Sequence, residues 1–288
     1  MTKQIISHSE VECFTKCARR HYYSFGEKLA RKRFSDALAR GIIGHDLMNT
    51  FFTTLKETHT WQLAMDAMDE ATVASLITLA GAGGNVKVIH DLVRITRGWL
   101  EHFQDKITQW KILEVEQEKQ LDMGDFIFAF KTDLVVNDRG YRDIIDYKFV
   151  YDFYEGDMLT LLPQIPRYTG AERAMGYPTR SGKYAFIRYR NLKSPGPDDL
   201  YRLANIDMST PRIQNAFRDV ANAAERINEL KQLPLQEWEK KTTRVADVWI
   251  CRACPFKDLC AAELNGSDGR LMRMTEYEPS KYGYVAED

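Results

Sequence analysis

The chain has no apolar stretch of about 18 residues, the length a helix needs to cross a bilayer. It also has almost no net charge, −1 over 288 residues, with a pI near 6.6. No transmembrane helix is therefore expected, the protein as a whole is not a polycation, and any nucleic-acid surface has to be a local patch. The opening MTKQIISHSE lacks the apolar core of a secretory signal, so an intracellular, cytoplasmic protein is expected. Cysteine is sparse, with five residues in all. In a reducing compartment so few are metal ligands or buried apolar groups, not a disulfide framework. The glycine-rich GAGGN at 81–85 follows no strand, and no Gly-Lys-Ser/Thr comes after it. It is therefore neither a phosphate-binding loop nor a dinucleotide fingerprint. What remains is a globular composition, 44% hydrophobic and 28% charged, sufficient for one large domain or two modest ones.

The most informative stretch is Phe126 to Lys148, FIFAFKTDLVVNDRGYRDIIDYK. Aromatic and β-branched density predicts two strands, and Asn137-Asp138-Arg139-Gly140 predicts a tight turn between them. Alternation puts Asp146 and Lys148 on one face. A two-residue loop at Asp138-Arg139 pairs Asn137 with Gly140 and sets Asp133 opposite Ile144, diagonal to Asp146. Two carboxylates about 7–8 Å apart at the backbone, with an ammonium beside them, suit one shared cation. A slip of one residue would turn Asp133 to the other face. The plainer reading is a hairpin with surface charges, and the apolar flanks on both strands argue against it.

Around this hairpin the chain divides readily. Ser9 to Glu12 predicts a capped helix reaching about Ser24, with Cys13 and Cys17 on one face. A basic stretch from Lys16 to Arg40, interleaved with Tyr22, Tyr23 and Phe25, suits phosphate and base contacts. Leu38, Ile42, Leu47, Phe51 and Leu55 repeat at helical spacing. Gly41 and Gly44 inside that helix imply a close approach or a bend, and His45 follows. Two more helices are expected at Trp61–Ala80 and Val86–Thr108, and a strand at Trp110–Asp122. Three strands in succession then form an antiparallel meander. Pro163 and Pro166 fit only the first turn of a helix, which places Gln164 and Tyr168 on one face. Further elements are strands at Lys183–Arg190 and Leu200–Ile206, and a helix from Thr210 to about Lys231. Cys251, Cys254 and Cys260 form a Cys-x2-Cys-x5-Cys run, apt for zinc or an iron–sulphur cluster. Cys13 or Cys17 can supply the fourth thiolate. From Gly266 onward a loosely ordered polar tail is expected.

These pieces resemble the PD-(D/E)XK nuclease superfamily. The resemblance is to its RecB-like branch carrying an iron–sulphur cluster, which includes the AddB nuclease domain, CRISPR-adaptation exonucleases and related phage exonucleases. Cys17-Ala18-Arg19-Arg20-His21-Tyr22 looks like the family's Cys-Pro-Arg-Arg-x-Tyr, with Ala18 in place of Pro. That match singles out Cys17 as the distant cluster ligand. Gly41 to His45 looks like the helix whose His reaches the metal. Asp133, Asp146-Tyr147-Lys148 and Gln164 to Tyr168 match the first Asp, the (D/E)XK and the QxxxY motifs, with Pro166 unusual in the last. Cys251, Cys254 and Cys260 match the C-terminal triplet.

The resemblance implies an α/β, restriction-endonuclease-like fold: a mixed sheet flanked by helices, a helical N-terminal part, and a cluster joining the chain ends. A single nuclease domain is expected over 1–265, with a helical insert at about 58–109, cluster-binding segments at 13–25 and 249–262, and a polar tail over 266–288. The implied activity is metal-dependent DNA exonuclease action on single-stranded DNA or DNA ends, in recombination, repair or phage and CRISPR DNA processing. The implied catalytic residues are Asp133, Asp146, Lys148, Gln164 and Tyr168. His45, Asp133, Asp146 and the Tyr147 carbonyl would hold Mg²⁺ or Mn²⁺. Cys17, Cys251, Cys254 and Cys260 would hold a [4Fe–4S] cluster, with zinc as the alternative. Arg19, Arg20, Gln164 and Tyr168 would contact DNA, and a recombinase, helicase or integrase is the implied partner. Two other classes compete. A non-catalytic DNA-binding subunit would not need the full carboxylate–lysine set, and an iron–sulphur redox protein would leave that set unexplained.

Overall fold

A computed structural model describes residues 3–32, 36–81, 85–154, 156–245 and 247–280. In chain order the first elements are β1 (Gln4–Ser7), α1 (His8–Lys16), α2 (Ala18–His21), β2 (Leu29–Arg31) and α3 (Asp36–Thr58). Next come α4 (Trp61–Gly81), α5 (Val86–His102), α6 (Gln104–Ile107), β3 (Lys111–Asp122), β4 (Phe126–Asp138) and β5 (Tyr141–Val150). They are followed by α7 (Asp157–Thr160), α8 (Gln164–Ala174), β6 (Thr179–Arg188), α9 (Pro197–Leu200) and β7 (Tyr201–Ile206). The last are α10 (Thr210–Lys231), α11 (Leu235–Lys241), α12 (Val248–Arg252), α13 (Lys257–Leu264), α14 (Arg270–Glu276) and β8 (Tyr277–Pro279). Two compact units result. A terminal unit comprises Met1–Arg33, Gln120–Phe130 and Phe217–Asp288, and a central unit comprises Phe34–Lys119 and Lys131–Ala216. Among the described residues no helix is long and apolar enough to cross a membrane.

The central unit is a mixed sheet with helices on both faces. β4 and β5 are antiparallel, β5 and β6 parallel, β6 and β7 antiparallel, and β3 pairs with β4. Ile145 and Tyr147 of β5, with Ala185 and Ile187 of β6, pack into one core with Leu47 and Phe51 of α3, Met68 of α4 and Trp99 of α5. The alternate residues Tyr184 and Phe186 join Ile165 of α8 in a second core. Side-chain alternation therefore assigns Asp146 and Lys148 to the α8 face.

The β4–β5 turn lies one residue later than the sequence suggests. Its central residues are Arg139 and Gly140, at φ 55° and 89°, with Asp138 paired to Tyr141. Gly140 takes the left-handed conformation without a Cβ penalty, and its N–H donates to Asn137 Oδ1 at 2.8 Å. The register moves by two positions, so the face assignment of Asp133 survives while its partner changes. The close approach inferred for α3 is found at Gly44 alone. A Cβ there would meet the Phe149 ring at 2.3 Å, whereas one at Gly41 would meet nothing within 4 Å.

In the terminal unit β1 runs parallel to the first part of β4, pairing Gln4 with Phe126 and Ser7 with Ala129. The first helix starts two residues earlier than expected: the Ser7 hydroxyl, not Ser9, accepts the Glu10 N–H at 3.1 Å. It also stops at Lys16, because Cys17 is extended at φ −167° and ψ 115°. Cys13 and Cys17 therefore do not share a continuous helical face. The expected loose tail is ordered as far as Ser280. α14 is helical, and β8 pairs antiparallel with β2. Residues 281–288 of that tail, and 82–84 of the glycine-rich loop, lie outside the described residues. The helix expected to reach Thr108 is interrupted at Phe103.

Two buried charge clusters in the central unit are fully engaged. Glu172 accepts from Arg142 Nε at 3.0 Å and Nη2 at 2.8 Å, and also from Lys119 and Thr179. Asp143 accepts from Arg180 Nε at 3.1 Å and Ser181 at 2.9 Å, and also from Lys183. Burial alone would raise both carboxyls, but their donors bring them below the ordinary range. A carboxylate with a depressed folded pKa stabilises the fold above its unfolded pKa, about 4, and loses that contribution as pH falls. We expect Glu172→Ala to cost about 2–3 kcal/mol in urea unfolding at neutral pH, since it removes the buried carboxylate that Lys119 and Arg142 share and leaves them paired with Glu114. Wild-type stability should decline as the medium is acidified through the carboxylate range. A variant matching wild type at neutral pH would show that the cluster does not hold this face together.

Candidate active site

The β4–β5 ladder ends at Leu134↔Ile145, and the next link is made by a side chain. Asp133 Oδ2 accepts the Tyr147 N–H at 2.9 Å. Continued by one residue, the register sets Asp133 opposite Asp146, where the sequence suggested a diagonal. Both are buried, at 6% and 1% exposure.

His45 arrives from α3, on the step that Gly44 brings against Phe149. Its Nε2 lies 3.1 Å from the Tyr147 carbonyl. A carbonyl only accepts, so Nε2 carries the proton, and Nδ1 is the nitrogen left to face a cation. Nδ1 is 3.4 Å from Asp133 Oδ2 and 4.0 Å from Glu116 Oε1. The ligand atoms of His45, Glu116 and Asp133 all fall within 4.8 Å of one another, the one such group among the described residues. Burial would lower the His45 imidazole, but the adjacent Asp133 carboxylate, helped by Asp146, raises it to about 9. Burial likewise opposes ionisation of Asp133, yet His45 and the Tyr147 amide hold it below its ordinary value.

Asp146 is in the opposite condition. Neither of its oxygens receives a hydrogen bond, although Lys148 Nζ stands 2.5 Å from Oδ2. Burial pushes its carboxyl up to about 6, with Lys148 pulling it down and Asp133 adding to the rise. A buried carboxylate that receives no well-formed hydrogen bond and pairs with an ammonium shared with Gln164 leaves oxygen lone pairs for a metal ion to complete. Oxygen donors with one imidazole suit Mg²⁺ or Mn²⁺, so the residues present fit a hard divalent ion. On the α8 face, Lys148 Nζ donates to Gln164 Oε1 at 2.7 Å, and Gln164 Nε2 donates to the Tyr168 hydroxyl at 3.3 Å. The Tyr184 ring lies 5.6 Å from the same ammonium. Pro166 is accommodated as the third residue of α8, whose backbone begins at Gln164.

The central unit thus gathers His45, Asp133, Asp146, Lys148, Gln164 and Tyr168, with the Tyr147 carbonyl engaged by His45. Glu116 was missed. In the sequence it belongs to the alternation Glu114, Glu116, Glu118, which has the pattern of an outward-facing strand edge. Its backbone is left-handed at φ 49°, a strained state for glutamate that turns it toward His45. Lys131 pairs with it.

The cysteines lie in the terminal unit, all as free thiols. There the N-terminal and C-terminal segments meet. Arg19 N–H donates to the Thr243 carbonyl at 2.9 Å, Tyr23 donates to Glu263 at 2.5 Å, and Arg31 donates to Asp258 at 2.6 Å. Cys17 sits at the break after α1, Cys251 on α12, Cys254 between α12 and α13, and Cys260 on α13. Cys254 is raised by burial and by the charges of Cys17 and Cys251, with Arg20 opposing. Cys260 Sγ accepts from Arg244 Nε at 3.1 Å. Cys13 is buried on α1, and burial lifts its thiol to about 11. Arg19 is not on an open basic face as expected. It is 5% exposed, its guanidinium 5.4 Å from the Tyr22 ring centre. Arg20 is half-buried.

The model of the PD-(D/E)XK nuclease superfamily matches residues 5–261 of the chain. The chain belongs to that superfamily. Among solved structures, this PD-(D/E)XK nuclease is similar to a “Putative exonuclease” from Eubacterium rectale at 13% identity. That alignment covers 87% of this chain and 88% of the other, with a TM-score of 0.53. At such identity the likeness concerns the fold. SSO0001 aligns at 13% identity over 91% of this chain and 88% of its own, with a TM-score of 0.40. No curated protein matches the chain.

Asp146 is buried beside Asp133, with the Lys148 ammonium as its ion-pair partner and no well-formed hydrogen bond, so a metal ion adds the compensation it lacks. Added Mg²⁺ or Mn²⁺ should therefore raise the melting temperature of the wild type, measured by differential scanning fluorimetry, and leave Asp146→Asn unmoved. In chelator, Asp146→Asn should melt no lower than wild type. Equal metal-induced shifts in the two proteins would remove Asp146 from the ion's surroundings.

Proposed function

We propose that this PD-(D/E)XK nuclease is a Mg²⁺- or Mn²⁺-dependent DNA exonuclease of the RecB-like, cluster-bearing branch. The observation that carries the reading is Asp146: a buried carboxylate whose oxygens receive no well-formed hydrogen bond, ion-paired to the Lys148 ammonium and set among the charges of Asp133 and His45, which with Glu116 form the candidate cation group. Asp133 and Asp146 would hold the ion, with His45 Nδ1 and Glu116 completing its protein ligands. When bound, such an ion polarises a phosphodiester and lowers the pKa of a bound water.

The chain's own groups divide the remaining work. Lys148, placed between Asp146 and Gln164, presents an ammonium where negative charge develops on the phosphate. Gln164 Oε1 accepts a hydrogen bond from Lys148 Nζ while Gln164 Nε2 donates to the Tyr168 hydroxyl, so the pair fixes the direction of the ammonium. Asp133 spends one lone pair on the Tyr147 amide, which fixes its carboxylate plane. The DNA substrate is the natural class for this family, and processing in recombination, repair, or phage and CRISPR pathways is part of the proposal, as is a recombinase, helicase or integrase partner.

Cys17, Cys251, Cys254 and Cys260 are proposed to bind a [4Fe–4S] cluster, with zinc as the alternative. What supports the cluster is the junction of the chain ends in the terminal unit, with Arg20 beside Cys254 and Arg244 on Cys260. Thiolates need such cationic neighbours. Its role there is structural, closing a long loop of chain.

End-labelled linear DNA and circular DNA, each incubated with Mg²⁺ and Mn²⁺, test the activity directly. Linear strands should be degraded from their ends while circles survive, and Asp146→Ala should lose activity by about 10³-fold or more, in keeping with removal of a group central to transition-state charge. Degradation of circles would make the enzyme an endonuclease, and activity retained in Asp146→Ala would discard the site. Separately, the purified protein should be brown with broad visible absorption, and Cys254→Ala should lower thermal stability and solubility. A colourless protein whose Cys254→Ala variant melts like wild type would rule out the cluster.

A further inference from the structure

Beyond the last paired residues of β5 and β6, the central unit carries an alternating run of guanidinium groups and aromatic rings. The Tyr189 N–H donates to the Val150 carbonyl at 2.9 Å, so Tyr151 and Tyr189 leave the parallel pair side by side. Their rings meet edge to face at 5.9 Å and 66°. The Arg40 guanidinium lies 4.7 Å from the Tyr189 centroid, and that of Arg190 lies 5.4 Å from the Tyr151 centroid. Asp152 receives Arg190 Nη1 at 2.9 Å on both oxygens, which steadies the arginine. Tyr151 remains 57% exposed. An exposed ring is not remarkable alone, but a ring ordered by a second aromatic and by a guanidinium is a prepared surface.

We propose that the exposed Tyr151, backed by Tyr189, whose half-buried ring packs against the core, and flanked by Arg40 and Arg190, forms a stacking track for the bases of a single DNA strand entering the catalytic centre. The inference rests on the nuclease reading and adds to it the residues that would hold a single strand outside the catalytic centre. Two elements tie the track to the site. Tyr151 directly follows the last residue of β5, three residues past Lys148, about 10 Å at strand rise. On α3, Arg40 lies five residues before His45, about 7.5 Å along the helix. The crevice outside the carboxyl ends of parallel strands is where open α/β sheets hold ligands. Aromatic faces take any base without hydrogen-bond readout, and arginines held against rings keep N–H groups free at their rims for phosphates. A duplex offers no unstacked face to such rings, so the track selects strands whose bases are already apart.

The test uses fluorescence anisotropy of a short labelled oligo(dT) strand, with Asp146→Asn as the parent protein to prevent cleavage. Adding Tyr151→Ala should weaken binding roughly tenfold, while adding Tyr151→Phe should restore it. A strand of equal length carrying abasic sites should bind the parent about as weakly as oligo(dT) binds the Tyr151→Ala protein. In otherwise wild-type protein, Tyr151→Ala should leave hydrolysis of bis(p-nitrophenyl) phosphate unchanged, because that small ester does not reach the track. Oligo(dT) affinity unaffected by Tyr151→Ala, or a blunt duplex bound as tightly as the single strand, would overturn the proposal and leave the nuclease reading intact. Ester hydrolysis absent from wild type, with Tyr151-dependent strand binding present, would overturn the nuclease reading and leave the track.

Discussion

The link between the Asp133 carboxylate and the Tyr147 amide is the contact on which the site depends. An antiparallel ladder ordinarily consumes every facing N–H and carbonyl in backbone pairs. Here the ladder stops at Leu134↔Ile145, and a side chain takes the next donor. The consequences spread outward. The Tyr147 carbonyl becomes available to His45 Nε2, which sets the imidazole's tautomer and aims Nδ1 at the carboxylates. The following residue, Lys148, then turns its ammonium toward α8. Strand geometry alone would give a row of side chains, and interrupting it gives a convergent set.

The same unit shows two ways of burying a carboxylate. Glu172 and Asp143 are saturated with donors and held ionised by arginine and lysine. Asp146 is equally inaccessible and accepts no hydrogen bond. The contrast is informative because Asp143 and Asp146 stand three residues apart on one strand, β5. Where the chain provides donors it builds structure, and where it withholds them beside other anions it leaves an energetic deficit that a ligand can fill. Strain at Glu116 belongs with the deficit: a left-handed glutamate persists only where its surroundings hold it.

Much of this was legible in the residues. The alternation of Phe126 to Lys148 gave both strands and the shared face of Asp146 and Lys148, since a period of two is a property of the backbone itself. Pro163 and Pro166 located the start of α8, because proline is confined to a helix's first turn. The turn register was not legible: Asn137 to Gly140 offers two adjacent two-residue loops, and only the positive φ at Arg139 and Gly140 decides between them. That error was harmless to the face of Asp133, since the register changed by an even number. Glu116 was hidden because charged residues alternating on a strand edge have the same pattern whether they face solvent or a cation. Arg19 misled in the opposite sense, because a run of basic residues says nothing about which guanidinium folds inward over tyrosine rings. The break at Cys17 has no signal in helix propensity.

Gly44 has one more consequence. The Phe149 ring fits against α3 only at the step where a side chain is missing. Sliding the helix by one residue along β5 would bring Ile43 or His45 onto that ring, and rotating it would do the same with a neighbour on the next turn. The missing methyl therefore works as a notch and the ring as its pin. Together they index a 23-residue helix to a single setting against the strand, and so determine where, to within one residue's rise, an imidazole meets the carboxylates.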